Sequence, residues 1–300
     1  MRVFVAGATG ALGTAAVRRL VSGGHQVTGI ARSRDKSRTL YTLGAETAEV
    51  DLFDPAGMRK AIEGHDVVCN LATHVPVGSA MARGSAWREN DRIRTEGSAI
   101  VAKAAADCGA LRLIQEAIAF VYADGGQDWI TEQAPLAPTA TTRSSLTATD
   151  HAMGFADQYR FAVVLRLGSF YGADANTYTQ LDRVRRGKPI LVGEPHGYVS
   201  PITIEDAAGA VVAALAAPSG IYNVAGRPMR RTEWARALGT AAGGDGSAKF
   251  LPTLSRRLLG SRAETAARSL RVSSDAFHAA TGWRARTPLA EGFATAVKVH

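Results

Sequence analysis

The chain opens Met1-Arg-Val-Phe-Val-Ala-Gly7-Ala-Thr-Gly10-Ala-Leu-Gly13, and the reading of this stretch decides the fold. Val3, Phe4, Val5 and Ala6 form an apolar run that stops at Gly7, the pattern of a short strand buried on both faces. Leu12, Val17, Leu20 and Val21 then recur with helical spacing until Gly23-Gly24, a helix stop. Val27 to Ala31 repeats the strand pattern. Strand, glycine turn, helix and strand in that order require a right-handed crossover, which leaves the helix N-terminus aimed at the turn. Unpaired N–H groups and the positive end of the helix dipole make that terminus an anion site. Glycines at 7, 10 and 13 let a pyrophosphate approach the backbone, with Thr9, Ala11 and Leu12 completing the turn.

The end of the second strand sets the cofactor expected there. A site selective for NAD carries an acid about 20 residues on, to hold the ribose 2′-hydroxyl. Here Arg32 occupies that place, followed by Ser33 and Arg34. A carboxylate would repel a 2′-phosphate, whereas guanidinium forks bond it at roughly 1.5–3 kcal/mol for each charge-assisted contact. NADPH is the cofactor expected.

Composition narrows the class. The 300 residues are 46% hydrophobic and 21% charged, as in a folded globular protein. That length holds one nucleotide domain plus a small lobe. No apolar run approaches the roughly 18–20 residues of a membrane span, and the N-terminus starts directly in a strand, so a cytoplasmic enzyme is expected. The net charge of +8 raises the question of nucleic acid, but the basic residues are scattered and accompany no nucleic-acid module. No obligate protein partner is expected. Cys69, in a buried strand pattern, and Cys108, near a helix end, read as inert free thiols. No Cys/His cluster has metal-ligand spacing, so no metal is expected.

Further along, Glu46 to Val50 reads as a third strand ending at Asp51-Leu52, where a carboxylate can accept from an adenine amino group. Met58 to Gly64 reads as a helix, and Asp66 to Leu71 as a fourth strand leading into Ala72 and Thr73. His74 to Ser85, without periodicity, is a loop long enough to border a substrate site. Trp87 to Cys108 follows as one long helix. Leu111 to Ala117 and Val163 to Leu167 are the fifth and sixth strands, so a parallel sheet covered on both faces is predicted. The C-terminal third predicts helices at Thr177 to Gly187, Glu205 to Ala217, Thr232 to Ala242, Leu254 to Leu270 and Ser274 to Ala280. Strands are predicted at Pro189 to Val192, Val199 to Ile204 and Ile221 to Val224. The expectation is a Rossmann-type α/β domain, a doubly wound parallel sheet formed by 1–168 plus 198–225. A small α/β substrate lobe would comprise 169–197 plus 226–300, with the substrate held in the gap.

These residues resemble the extended short-chain dehydrogenase/reductase superfamily, the group of nucleotide-sugar epimerases and dehydratases, over nearly the whole chain. The pieces that carry the resemblance are Gly7-Ala-Thr-Gly10-Ala-Leu-Gly13, Asp51-Leu52, Asn70-Leu71-Ala72, Asn90 and Phe120-Val121-Tyr122. Arg166-Leu-Gly-Ser-Phe-Tyr171-Gly172, Ile204-Glu-Asp206-Ala-Ala and Tyr222-Asn223-Val224 add to them. The resemblance implies that Leu71, Ala72, Thr73, Ala117, Leu167 and Gly168 complete the cofactor cleft.

In that family a Ser or Thr after the fifth strand and a Tyr-x-x-x-Lys pair on the next helix move the proton. Here the first slot falls in Glu116-Ala-Ile-Ala119 and the second in Thr142 to Thr149, and no Tyr or Lys stands anywhere from Ala123 through Gln158. Positioning of a carbonyl against a reduced nicotinamide can supply roughly 7–11 kcal/mol without that pair. A general acid adds roughly 3–5 kcal/mol. Its loss matters least for a ketone hydrogen-bonded to its own phenol. The chain is similar to atypical reductases of aromatic-polyketide tailoring, angucyclinone ketoreductases of the simocyclinone type among them. That implies an NADPH-dependent ketoreductase of antibiotic biosynthesis acting on a phenolic polycyclic ketone. The alternative is a non-catalytic NADP(H)-binding sensor or partner-binding protein of the same fold.

His74, after the fourth strand, is the candidate acid. Met81, Trp87, Ile118, Phe170 and Tyr198 are candidates for the apolar wall of a substrate site, with Ser169 to bond a ligand oxygen. Arg143 and His151, on the helix of the missing pair, are candidates to contact cofactor ribose.

Overall fold

A computed structural model describes residues 1–244, 246–251 and 261–297. Strands β1 (Arg2–Ala6), β2 (Gln26–Ile30), β3 (Glu46–Ala48), β4 (Val67–Asn70) and β5 (Arg112–Ile118) alternate with helices α1 (Ala11–Ser22), α2 (Arg34–Thr42) and α3 (Pro55–Ile62). Between β4 and β5 run α4 (Arg88–Arg92), a π turn at Ile93–Gly97 and α5 (Ser98–Asp107). After β5 come β6 (Trp129–Ile130), α6 (Arg143–Met153), β7 (Phe161–Leu167), β8 (Ser169–Tyr171), α7 (Ala175–Arg185), β9 (Tyr198–Val199) and β10 (Pro201–Thr203). Then follow α8 (Ile204–Ala213), β11 (Gly220–Val224), β12 (Met229–Arg230), α9 (Arg231–Ala241), helix Ser261–Ala267, β13 (Arg271–Val272) and helices Asp275–Thr281 and Leu289–Val297.

Seven of the strands form one sheet in the order β11-β7-β5-β4-β1-β2-β3. Every neighbouring pair in it is parallel. Its central strands β1, from Val3 on, and β4 are buried on both faces, as a doubly covered sheet demands. Val3 and Val5 of β1 pack with Leu20, Val163, Leu165 and Val211 beneath α1 and α8. Phe4 and Ala6 pack on the other face with Met58, Val68, Val101, Leu113 and Val164 beneath α3, α5 and α6. Each such Val, Leu or Phe stabilises by roughly 1.5–3 kcal/mol when fully buried. A third core, around Tyr171, Leu181, Leu191, Trp234, Leu238 and Phe293, holds the C-terminal lobe together. Among the described residues no helix is long and apolar enough to cross a membrane.

Several expected elements differ. The helix expected from Trp87 to Cys108 contains the π turn, where Thr95 Oγ1 donates to Asp91 O at 2.8 Å and Ser98 Oγ to Arg94 O at 2.7 Å. Hydroxyls bonding carbonyls four residues back compete with the helical amides. The helix expected from Met58 begins at Pro55, because Asp54 caps it by accepting from Ala56 N at 3.1 Å. In the same way Asp174 starts α7 ahead of Thr177. The strand expected at Pro189 to Val192 reduces to one bridge, Leu191 to Phe250. Val199 to Ile204 is not one strand: Pro201 lacks an N–H, and the Ser200 hydroxyl donates to Leu270 O and accepts from Val272 N. β9 therefore pairs with β12, and β10 with β8. Of the helix expected from Leu254 to Leu270, residues 254–260 lie outside the described residues and Ser261–Ala267 is helical.

Candidate nucleotide and substrate cleft

The opening glycine turn is a close-packed device. Gly7 has φ +77°, and a Cβ on it would stand 2.6 Å from the Leu71 carbonyl and the Ala72 amide nitrogen. A Cβ on Gly13 would stand 2.0 Å from Gly7 O. These two glycines hold the end of β1, the start of α1 and the end of β4 against one another. Gly10, the N-cap of α1, has no side chain to cap the helix, and a Cβ there would meet only Gly7 O at 3.4 Å. Thr9, Gly10 and Ala11 reach the surface, while Leu12 and Gly13 are buried beneath them. An uncapped helix start with open space above it fits a pyrophosphate.

The other cofactor candidates lie along the same C-terminal edge of the sheet. Arg32, Ser33 and Arg34 follow β2 and are exposed; Ser33 caps α2 by accepting from Lys36 N at 3.4 Å. Asp51, past β3, is exposed and accepts from Phe53 N at 2.9 Å, and Leu52 is buried against Gly97. At the end of β4, Asn70 Nδ2 donates to Gln115 Oε1 at 2.9 Å, ahead of buried Leu71, half-buried Ala72 and exposed Thr73. Ala117, Leu167 and Gly168 are buried at the ends of β5 and β7, and Gly168 N donates to Val224 O at 2.9 Å.

The substrate candidates do not all share one wall. His74 is exposed, and its backbone N–H donates to Asn90 Oδ1 at 3.0 Å. Met81 and Trp87 are half-buried in the two 3-10 turns that follow, joined by Trp87 Nε1 donating to Met81 O at 3.1 Å. This loop abuts α7, where a Cβ on Gly78 would lie 3.1 Å from Thr179. Ile118 closes β5, and Ser169 and Phe170 open β8, Phe170 packed on the α1–α8 core. Tyr198 stands apart from these residues, in a cleft with Trp129, Arg230 and Arg271. Tyr171 is a core residue of the lobe, in ring contact with Trp234 and Phe293, its hydroxyl pushed up to about 12 by burial.

The helix facing β5 carries hydroxyls in place of a phenol and an ammonium. At the start of α6, Arg143 is exposed, Ser144 Oγ donates to Asp91 Oδ1 at 2.7 Å, and Ser145 Oγ accepts from Ile118 N at 3.3 Å. His151 Nδ1 lies 2.8 Å from Ser98 Oγ. Tyr122, just past the end of β5, is buried; its hydroxyl donates to Asn223 Oδ1 at 2.8 Å and accepts from Arg166 at 2.7 Å. Burial raises its pKa against the opposing pull of Arg166, which suits a structural strut. Sequence reasoning missed one buried ion pair here: both Glu116 carboxylate oxygens lie 2.8 Å from Arg94 Nη2. A carboxylate in the middle of a predicted interior strand was its one visible signal. Cys69 is fully buried, which pushes its thiol to about 12. Among the described residues no group of three or more His, Cys, Asp or Glu could hold a metal.

Comparison with known proteins places this geometry. The chain is 30% identical to a 3-diazoavenalumate denitrifying reductase from a Streptomyces species, over 96% of this chain and 97% of that protein. It is 29% identical to a 2-alkyl-3-oxoalkanoate reductase of Shewanella oneidensis, over 71% of this chain and 56% of the other. Its fold matches that of a UDP-glucuronic acid 4-epimerase from Bacillus cereus, with a TM-score of 0.80 at 15% identity and full coverage of both chains. Residues 3–225 match the model of the NAD dependent epimerase/dehydratase family. With its glycine turn, seven-stranded parallel sheet and full-length reductase relative, the chain belongs to the NAD dependent epimerase/dehydratase family.

Proposed function

We propose that the chain is an NADPH-dependent reductase of a flat phenolic small molecule that needs no proton from a protein acid. The observation that carries this reading is α6, whose first turn offers Arg143, Ser144 and Ser145 where proton-transferring relatives place a tyrosine and lysine. The two serine hydroxyls are already engaged with Asp91 and Ile118. Family membership and two reductases among the relatives support oxidoreductase chemistry. The uncapped N-terminus of α1 would hold the pyrophosphate, Asp51 the adenosine, and Arg32 with Arg34 a 2′-phosphate. When bound, a reduced nicotinamide supplies hydride. The loop from His74 to Trp87 would cover the acceptor and exclude water.

Two acceptors suit such a site. The first is a ketone of a phenolic polycyclic compound, an aromatic polyketide of the angucyclinone kind in antibiotic biosynthesis, whose internal hydrogen bond delivers the alkoxide's proton. The second is an arenediazonium, favoured by the full-length likeness to a reductase named for a diazo substrate. In that case hydride replaces the leaving N2 on carbon and no proton is required. NADPH oxidation is followed at the nicotinamide absorbance band with a panel of hydroxylated polycyclic ketones and ortho-hydroxyarenediazonium salts. Enzyme-dependent turnover of either class supports the reading, and gas evolution with one NADPH per N2 assigns the second. Tight NADPH binding without turnover of any member would favour the non-catalytic sensor.

A further inference from the structure

Two small ladders outside the main sheet converge on one cleft. In β9–β12 the register pairs Tyr198 with Arg230 and Val199 with Met229. Val199 and Met229 pack into the lobe core, so strand alternation turns Tyr198 and Arg230 away from it. In β6–β13, Trp129 pairs with Arg271, and Ile130 with Val272. Ile130 and Val272 are buried, and Trp129 and Arg271 face out. The outward pairs stack: the Arg230 guanidinium carbon lies 4.2 Å from the Tyr198 ring centre, and that of Arg271 lies 4.1 Å from Trp129 and 4.8 Å from Tyr198. With Arg227 and Glu233 they line a cavity of about 290 Å³.

Stacking fixes a guanidinium plane and leaves its edge donors free. Arg230 uses Nη1 alone, on Gln127 and His196, and Arg271 uses Nη1 alone, on Gln127 O at 3.1 Å. None of Arg227, Arg230 and Arg271 pairs with a carboxylate among the described residues. Counting Glu233, the cleft keeps two uncompensated positive charges on prepositioned forks, matching a phosphate dianion. Trp129 is 51% exposed, leaving apolar surface beside those donors. We propose that this cleft is a second ligand site, separate from the nucleotide edge, for a phosphate monoester carried on a flat ring. The proposal is independent of the acceptor argued above.

The test uses the full chain and intrinsic fluorescence, with phenyl phosphate, orthophosphate and benzoate as probes. Phenyl phosphate is expected to give a saturable change that disappears in Trp129→Phe and weakens as salt rises. Arg230→Gln and Arg271→Gln should each weaken it by about tenfold or more, the equivalent of one charge-assisted contact. Each variant should keep the wild-type thermal unfolding midpoint; a variant that does not is replaced by the lysine substitution at the same position, which keeps charge but loses the fork. Absence of a saturable signal, or affinity unchanged in both glutamine variants, would overturn the site. Equal affinity for benzoate would overturn the phosphate assignment, and equal affinity for orthophosphate the ring.

Discussion

The Ile118 amide donates to the Ser145 hydroxyl at 3.3 Å, tying the C-terminal end of β5 to the first turn of α6. This hydroxyl occupies the neighbourhood in which a proton donor is expected, yet it acts as an acceptor. Ser145→Ala should therefore cost stability, by about 1–3 kcal/mol for the amide left unpaired. kcat should stay within about threefold, far from the roughly hundredfold or larger loss that follows removal of a general acid. Denaturant unfolding and steady-state kinetics on the same preparation check both.

Gly13→Ala and Gly10→Ala separate architecture from ligand contact. The first puts a Cβ 2.0 Å from Gly7 O and must displace the turn, lowering stability by about 1–3 kcal/mol or more and NADPH affinity with it. The second meets only a contact of 3.4 Å, so stability should fall by no more than about 1 kcal/mol, the cost of alanine at an N-cap. NADPH affinity should nevertheless drop, because the new methyl occupies the pyrophosphate's approach. Calorimetric titration beside thermal unfolding distinguishes the two patterns.

Arg32→Asp should weaken NADPH by about tenfold or more while changing NADH little, since only the former carries a 2′-phosphate to bond or repel. Equal losses for the two cofactors would show that the arginine does not touch that phosphate. Dissociation constants by nicotinamide fluorescence give the comparison directly.

The Arg94–Glu116 pair is 2% and 6% exposed at its side chains. Burial pushes the Glu116 carboxyl up and the guanidinium opposes it. Glu116→Gln should cost about 3–5 kcal/mol, because a buried guanidinium loses its counter-charge. The double variant Arg94→Met, Glu116→Leu should recover most of that loss. Urea unfolding of the single and double variants closes the cycle.

The first strand and its turn were readable because burial on two faces writes itself as a continuous apolar run, and because the close approach of β1, α1 and β4 leaves no room for a Cβ at Gly7 or Gly13. That residues 32 to 34 lie just past β2 was readable because the apolar run of that strand ends at Ala31. The π turn at Ile93–Gly97 was not, since one extra residue in a helical turn leaves the apolar spacing nearly unchanged. The bridge of Leu191 to Phe250 and the stacking of Arg271 on Tyr198 join residues far apart in the chain, so no local pattern announces them. Tyr198 looked like a pocket residue from its aromatic ring alone; its register against Arg230 is what turns it to a different cleft. The C-terminal helix Leu289–Val297, which follows Pro288 and an irregular stretch, was not read from the sequence.

The proton question is settled most directly by single-turnover NADPH oxidation between pH 6 and 9, in H2O and D2O, for the wild type and His74→Ala. A reductase whose acceptor needs no protein acid shows a rate in which any titrating step belongs to the acceptor and survives in His74→Ala, with the same solvent isotope ratio in both proteins. Deuterium placed at the nicotinamide C4 then appears in the product, and His74→Ala changes the rate little. A single titration in the wild-type rate, lost in His74→Ala with a fall of roughly a hundredfold or more, would instead make His74 the acid and contradict the account.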